Sequence, residues 1–327
     1  MSTEFNHAVV TNTRRDFLRQ TIAGAVAPLA MRVVAEAGES GTSQATAASA
    51  TFQPDGDAYQ FDTGILRGTL RNAGKSQGLF PVVHCATGKS LARGLGLFSH
   101  YRLLDDSARY GSAGWDWASK AERLDDASVA VAWSPDDEHP FEMRAVYRLS
   151  APDTLDLTTK IIPTKELKRF EVFLASYFDG FPQVSVYVKP RSQAEAAGFL
   201  EARKEDALWH MFPRDAAAVE MIQSERWQRP PNPVEWTIRP ELAGPLALRR
   251  DRESGLCALI MARPEQCFAV AMPYGDEAHR SVYLSLFGQD LRSGEPALAR
   301  TRLVIRAGVS DDDALTMYQE FLRQTGD

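Results

Sequence analysis

The chain has 327 residues and a formal net charge of -6 at pH 7, with 44% hydrophobic and 24% charged residues. That is the composition of an ordinary globular protein, long enough to bury one large core. Its basic residues are scattered rather than massed, which excludes a nucleic-acid surface built on basic stripes, and its three cysteines make a poor disulfide framework.

Residues 13–19 read Thr-Arg-Arg-Asp-Phe-Leu-Arg, and the uncharged run Gln20–Met31 follows. Gly24 and Pro28 are poor interior residues for a stable helix, and the run falls short of the about 20 apolar residues that a membrane span requires. A basic start, a short apolar run and small-residue cleavage candidates such as Ala35-Glu36-Ala37 make up an export signal. Arg14-Arg15 followed by Phe17-Leu18 resembles the twin-arginine signal, which directs already folded proteins across a membrane. The expected organisation is a signal over 1–37, an Ala/Ser/Thr/Gly-rich linker over 38–54 and one folded domain over 55–327. The twin-arginine export machinery is the expected partner, and the periplasm or the exterior the expected location. No second run is long enough to cross a membrane, so the mature form is expected to have no stable span.

Past the linker the chain reads as strands. About thirteen segments alternate in hydrophobicity or run apolar between turn signals, among them 65–70, 79–84, 129–133, 141–149, 154–163, 169–178 and 184–188. Further segments are 235–240, 246–250, 257–262, 267–273, 281–287 and 299–308. Cys257 and Cys267 lie on two of these runs, which read as a hairpin turning near Arg263-Pro264; with Cys85 they are expected as free thiols. Helical signals are few: short turns over 191–206, a turn over 215–222, and a final helix with Ser310 as N-cap, acids in its first turn and Leu315, Tyr318, Phe321 and Leu322 on one face. This pattern predicts an all-β fold, a large antiparallel sandwich with a short C-terminal helix.

Two stretches carry a family resemblance. Residues 156–180 read as a hairpin whose second strand ends Ser176-Tyr177-Phe178, and residues 281–305 close with a polar turn into a last strand. Both are similar to the galactose mutarotase (aldose 1-epimerase) superfamily, whose fold is a β-supersandwich. The resemblance implies a sugar ligand and a catalytic histidine and glutamate. Here Ala175 stands at the histidine position and Ser285 near the glutamate position, so the standard activity is not expected.

Chemistry is therefore sought elsewhere. The segment 94–117 gathers His100, Arg109, Tyr110, Trp115 and Trp117, the flat aromatic faces and planar charges that sugar sites use. The alternative there is a loop anchored on the core by its tryptophans, with Arg109 paired to Asp105 or Asp106. Residues 208–236 add His210, Arg214, Asp215, Trp227, Glu235 and Trp236, with Pro230, Pro231 and Pro233 stiffening the approach to Glu235. Residues 274–280 add His279 and Arg280, and Glu171 is a further acid. The expected catalytic group is His100, His210, Glu235 and His279, with Arg109, Tyr110, Trp115, Trp117 and Arg280 binding substrate. No dinucleotide fingerprint, nucleophile elbow or zinc-ligand spacing occurs, so no cofactor or metal is expected. The expected function is an exported carbohydrate-binding or carbohydrate-processing protein; the alternative is a non-catalytic sugar-binding or structural envelope protein. Replacing Arg14 and Arg15 together by Lys is expected to hold the protein in the cytoplasm, which cell fractionation would show.

Overall fold

The computed structural model describes residues 50–71, 78–190, 192 and 194–326. The signal expected over 1–37 and residues 38–49 of the linker expected over 38–54 lie outside the described residues. The last residues of that linker belong to the first strand, Thr51–Asp55, which forms a hairpin with Ala58–Asp62.

Among the described residues the strands form three sheets. The largest has nine strands in the spatial order Gly198–Glu201, Gln183–Val188, Leu242–Arg250, Leu256–Ala262, Ala297–Ala307, Thr154–Pro163, Phe141–Ala151, Ser128–Trp133 and Ser119–Asp125. A six-stranded sheet runs Thr237–Ile238, Trp209–Pro213, Cys267–Pro273, Ser281–Leu291, Leu167–Tyr177 and Ser99–Leu104. The third, of five strands, contains Thr51–Asp55 through Lys89–Ser90 in chain order. Pairing is antiparallel throughout except between Trp209–Pro213 and the two-residue strand Thr237–Ile238. The fold is the mostly-β sandwich with a short C-terminal helix that the strand pattern predicts.

Side-chain alternation explains how the sheets stack. Along Phe141–Ala151 and Thr154–Pro163 every second residue is buried, which gives each strand one core face and one wetter face. Residues from all three sheets, such as Phe61, Leu157 and Leu284, join in one continuous core. Leu167–Tyr177 differs, being buried on both faces from Phe170 onward. Val172 and Leu174 belong to the core between the sheets, while Phe173, Ala175 and Tyr177 belong to a separate cluster on the opposite face. On the outer side of the nine-stranded sheet, the helix Asp311–Gln324 seats Ala314, Tyr318 and Phe321 against Leu246, Leu259 and Val304. Its start is a capping box, with Ser310 and Asp313 bonding each other's backbone N–H.

Two expectations change and one is extended. The runs around Cys257 and Cys267 are not a hairpin: Leu256–Ala262 pairs within the nine-stranded sheet and Cys267–Pro273 within the six-stranded one, joined by the turn Pro264–Gln266. Both runs are apolar on both faces, so periodicity could not tell a partner from a crossover. The span expected as a strand over 235–240 pairs only at Thr237–Ile238, leaving Glu235 and Trp236 in the preceding loop. The described residues of 191–206 add the edge strand Gly198–Glu201 to the turns expected there, and Ala216–Ile222 is helical as expected, capped by Asp215. All three cysteines are free.

His100 and His210 are part of this core. His100 is 1% exposed, bonded through Nε2 to Thr159 Oγ1 at 2.9 Å and set edge-on to Trp133. His210 is fully buried, with its ring stacked along Phe212 at 6.2 Å. Burial in apolar surroundings penalises the imidazolium, pulling His100 down to about 3 and His210 below its usual value. A histidine held neutral in the fold but free to protonate when unfolded removes stability as pH falls through its unfolded value. Unfolding free energy is thus expected to drop by about 2 kcal/mol from His100 alone between about pH 6.5 and pH 5. Denaturant titrations across that range would show the drop, and His100→Asn should flatten it.

Candidate active cleft

The face of the six-stranded sheet that turns away from the nine-stranded one is only half covered. The helix Ala216–Ile222 and the turn Glu225–Gln228 pack Ala218, Met221, Ile222 and Trp227 onto it. Beside them a cleft of about 920 Å³ remains open. Its floor is aromatic: Phe173 and Tyr177 from the central strand and Tyr283 from its neighbour, with Phe173 and Tyr283 stacked at 4.6 Å. Trp209 and Trp236 meet edge-to-face at 5.8 Å, and Trp236 meets Trp227 the same way at 5.3 Å. Tyr101 and Trp115 stack in parallel, their ring centres 4.7 Å apart with only 3° between the planes. Gly114 makes that stack possible, because a Cβ there would come within 2.5 Å of the His100 carbonyl oxygen. Without a side chain, the turn Gly114–Asp116 lies directly on the strand that carries Tyr101.

Beneath the aromatic surface lies a layer of charge. Glu171 and Arg226, both fully buried, form an ion pair at 3.2 Å. Arg226 also reaches Asp106 at 2.5 Å, and Asp106 takes Arg169 as well. Burial raises the Glu171 carboxyl above the usual range against the opposing pull of Arg226. Removing either partner of such a buried pair typically costs about 3–5 kcal/mol, so these groups hold the cleft floor in place. Arg102, 2% exposed, lines the cleft with its guanidinium over the Tyr101 and Trp227 rings and donates from Nη2 to the Asn232 carbonyl. Burial works to raise the Tyr101 hydroxyl, but the Asn232 amide and the cations of Arg102 and Arg109 outweigh it and hold the phenol below its ordinary value.

Of the residues singled out by sequence, Trp115, Trp227, Glu235, Trp236 and His279 line the cleft. His279 sits exposed at the rim, near Trp209, with Nδ1 3.0 Å from both carboxylate oxygens of Glu277. Arg109 lies behind Tyr101, its guanidinium 5.8 Å from that ring and bonded to the carbonyls of Pro231 and Ser112. It does not pair with Asp105 or Asp106; Asp105 instead accepts from the Tyr110 hydroxyl at 2.8 Å.

The others are placed elsewhere. Tyr110 and Trp117 are 4% exposed and belong to the core, Trp117 stacked on His139 at 4.1 Å. His100 and His210 point between the sheets, so the expected meeting of three histidines does not occur. Arg280 is bonded to Asp276 and does not line the cleft. Ala175 lies on the cleft face of the sheet, and the Ser285 hydroxyl is buried without a hydrogen-bond partner.

Tyr101, Arg102, Trp209, Asn232 and Tyr283 also line the cleft, and none of them is among the expected site residues. For Trp209 a signal existed, since in Trp-His-Met-Phe strict alternation puts Trp209 opposite in face to His210. For Arg102 alternation misleads, because the strand is irregular at this point: Arg102 pairs with Phe173 and His100 with Leu174, leaving Tyr101 as an extra residue. Among the described residues, no group of three or more His, Cys, Asp or Glu is placed to hold a metal ion.

No protein-family model matches the chain, and neither does any curated protein. Solved structures do match. A protein in glycosyl hydrolase family 38 from Enterococcus faecalis aligns with a TM-score of 0.51 at 8% identity, over 83% of this chain and 32% of that one. An alpha-N-acetylgalactosaminidase from Bifidobacterium bifidum, solved as a quadruple mutant, aligns at 0.50 and 10% identity, over 82% of this chain and 39% of its own. The chain thus spans well under half the length of these two. A galactose mutarotase-like protein from Lactobacillus casei ATCC 334 is matched over its whole length (100%) and 76% of this chain, at 9% identity and a TM-score of 0.49. Galactose mutarotase-like proteins are therefore among the structural neighbours, and at such identities the likeness is one of fold alone.

Proposed function

We propose that this is an exported carbohydrate-binding or carbohydrate-processing protein that holds its sugar in the aromatic cleft, and that it is not a standard aldose 1-epimerase. The stacked Tyr101–Trp115 pair carries the reading. Together with Trp209 and Trp236 it lines a cleft large enough for a saccharide. Pyranose rings present C–H faces that stack on such surfaces, while Asn232, Glu235 and His279 at the mouth offer hydrogen bonds to hydroxyls. Export is supported by Arg14-Arg15 and the uncharged run behind them.

Turnover rather than binding alone is favoured by His279. A carboxylate on Nδ1 selects the tautomer in which Nε2 accepts a proton, the arrangement of a general base at the cleft rim. The positions that would do the work in a mutarotase supply nothing comparable: Ala175 has no proton to transfer, and Ser285 is a buried hydroxyl.

Two measurements test the reading. In a calorimetric screen of mono- and oligosaccharides, Trp115→Ala is expected to weaken the best ligand by about tenfold, the value of one stacked ring, and an unchanged affinity would remove the cleft from the binding surface. In polarimetry on freshly dissolved α-glucose and α-galactose, no acceleration is expected; a kcat/KM above about 10⁴ per molar per second would restore the mutarotase activity.

A further inference from the structure

Arg102 lines the cleft and Arg109 stands behind Tyr101 at its edge, and among the described residues no carboxylate forms an ion pair with either. Both approach the Tyr101 ring, with guanidinium carbons 5.2 and 5.8 Å from its centre. Their acceptors are uncharged: the carbonyls of Asn232 for Arg102, and of Pro231 and Ser112 for Arg109. Nε and Nη1 of Arg102, and Nε of Arg109, have no hydrogen-bond partner. The nearby acids are engaged elsewhere: Glu171 with Arg226, Asp106 with Arg226 and Arg169, and Asp105 with Tyr110 and Ser107. Asp116 and Glu235 stand at the exposed rim.

We propose that Arg102 and Arg109 are the seat of an oxyanion substituent, carboxylate or sulfate, on the carbohydrate held in the cleft, so that the ligand class is acidic saccharides. The inference rests on the carbohydrate reading above and narrows it. Anchoring the segment 230–233 would not by itself call for guanidinium. An amide side chain also donates to a carbonyl, without the desolvation cost of a buried cation or the repulsion between two neighbouring ones. Each carbonyl satisfies one N–H group but contributes no compensating charge. An anion contributes both, and planar guanidinium groups match carboxylate and sulfate oxygens with paired, charge-assisted bonds. The position also suits recognition, since Arg102 lines the same cleft as Trp115 and Arg109 stands just behind Tyr101.

The test uses matched pairs of oligosaccharides: uronate oligomers (glucuronate, galacturonate and mannuronate) against their carboxyl-reduced counterparts, and sulfated against desulfated galactan fragments. Affinities are measured by calorimetry with the whole protein. At least one anionic member is expected to bind about tenfold or more tightly than its neutral twin, with the preference shrinking as salt rises. The pairs that show the preference distinguish carboxylate from sulfate. Arg109→Gln should bring the ratio within the preferred pair close to one, and so should Arg102→Gln if that variant folds. Equal affinities within every pair that binds would overturn the inference and leave the carbohydrate reading standing, as would a preference that survives Arg109→Gln. No binding anywhere in the panel would overturn the carbohydrate reading itself.

Discussion

One extra residue in an edge strand decides what the cleft contains. Ser99–Leu104 pairs with the central strand Leu167–Tyr177 so that His100 faces Leu174 and Arg102 faces Phe173, with Tyr101 unmatched between them. In a regular strand His100 and Arg102 would share a face. The bulge breaks that parity. His100 stays between the sheets against Thr159 and Trp133, while Arg102 turns to the side of Phe173 and Tyr101 swings out to stack on Trp115. Bulges bend a strand and re-aim its side chains, and they concentrate beside functional sites for that reason. The docking of Gly114, the Tyr101–Trp115 stack and the contacts to the segment 230–233 all follow from this one irregularity.

The central strand supplies the other half of the arrangement. Because it is buried on both faces, its alternate residues serve two purposes: Val172 and Leu174 hold the sandwich together, and Phe173 and Tyr177 form the floor of the cleft, with Glu171 and Ala175 on the same side of the strand. The aromatic side chains give that floor its surface. The Glu171–Arg226 pair beneath them fastens the turn Glu225–Gln228, and with it Trp227, to the sheet. Charge that would be expensive to bury alone is here shared among Arg226, Glu171, Asp106 and Arg169. Arg102 and Arg109 form no ion pair with any of these acids and donate to backbone carbonyls instead.

Ala175 has no titratable group and the Ser285 hydroxyl is enclosed, so the hydroxyls of Tyr177 and Tyr283 are the polar groups of the cleft floor. The groups able to move protons or bind charge sit at the edges instead: Tyr101 on the bulged strand, His279 with Glu277 at the rim, and Asn232 on the proline-rich segment.

Period and punctuation determined a good deal by themselves. Alternation over 141–149 and 154–163 marks strands with one wet face because a pleated strand repeats every second residue, and Ser310 with three acids marks a helix start because those side chains satisfy open backbone N–H groups. The aromatic richness of 94–117 and 208–236 was legible too, and Trp115, Trp209, Trp227 and Trp236 do meet around one cleft. Face and partner were decided by the tertiary structure. His210 and Trp209 are adjacent in sequence and lie on opposite sides of a sheet; His100 and Arg102 are separated by a bulge that depends on the register of a strand some seventy residues away in the chain. Apolar runs such as 257–262 and 267–273 carry no mark of which sheet they join, since both of their faces are covered. A local sequence encodes its own periodicity, whereas register and the direction of a side chain are set by pairing with distant strands, and that information is absent from any one segment.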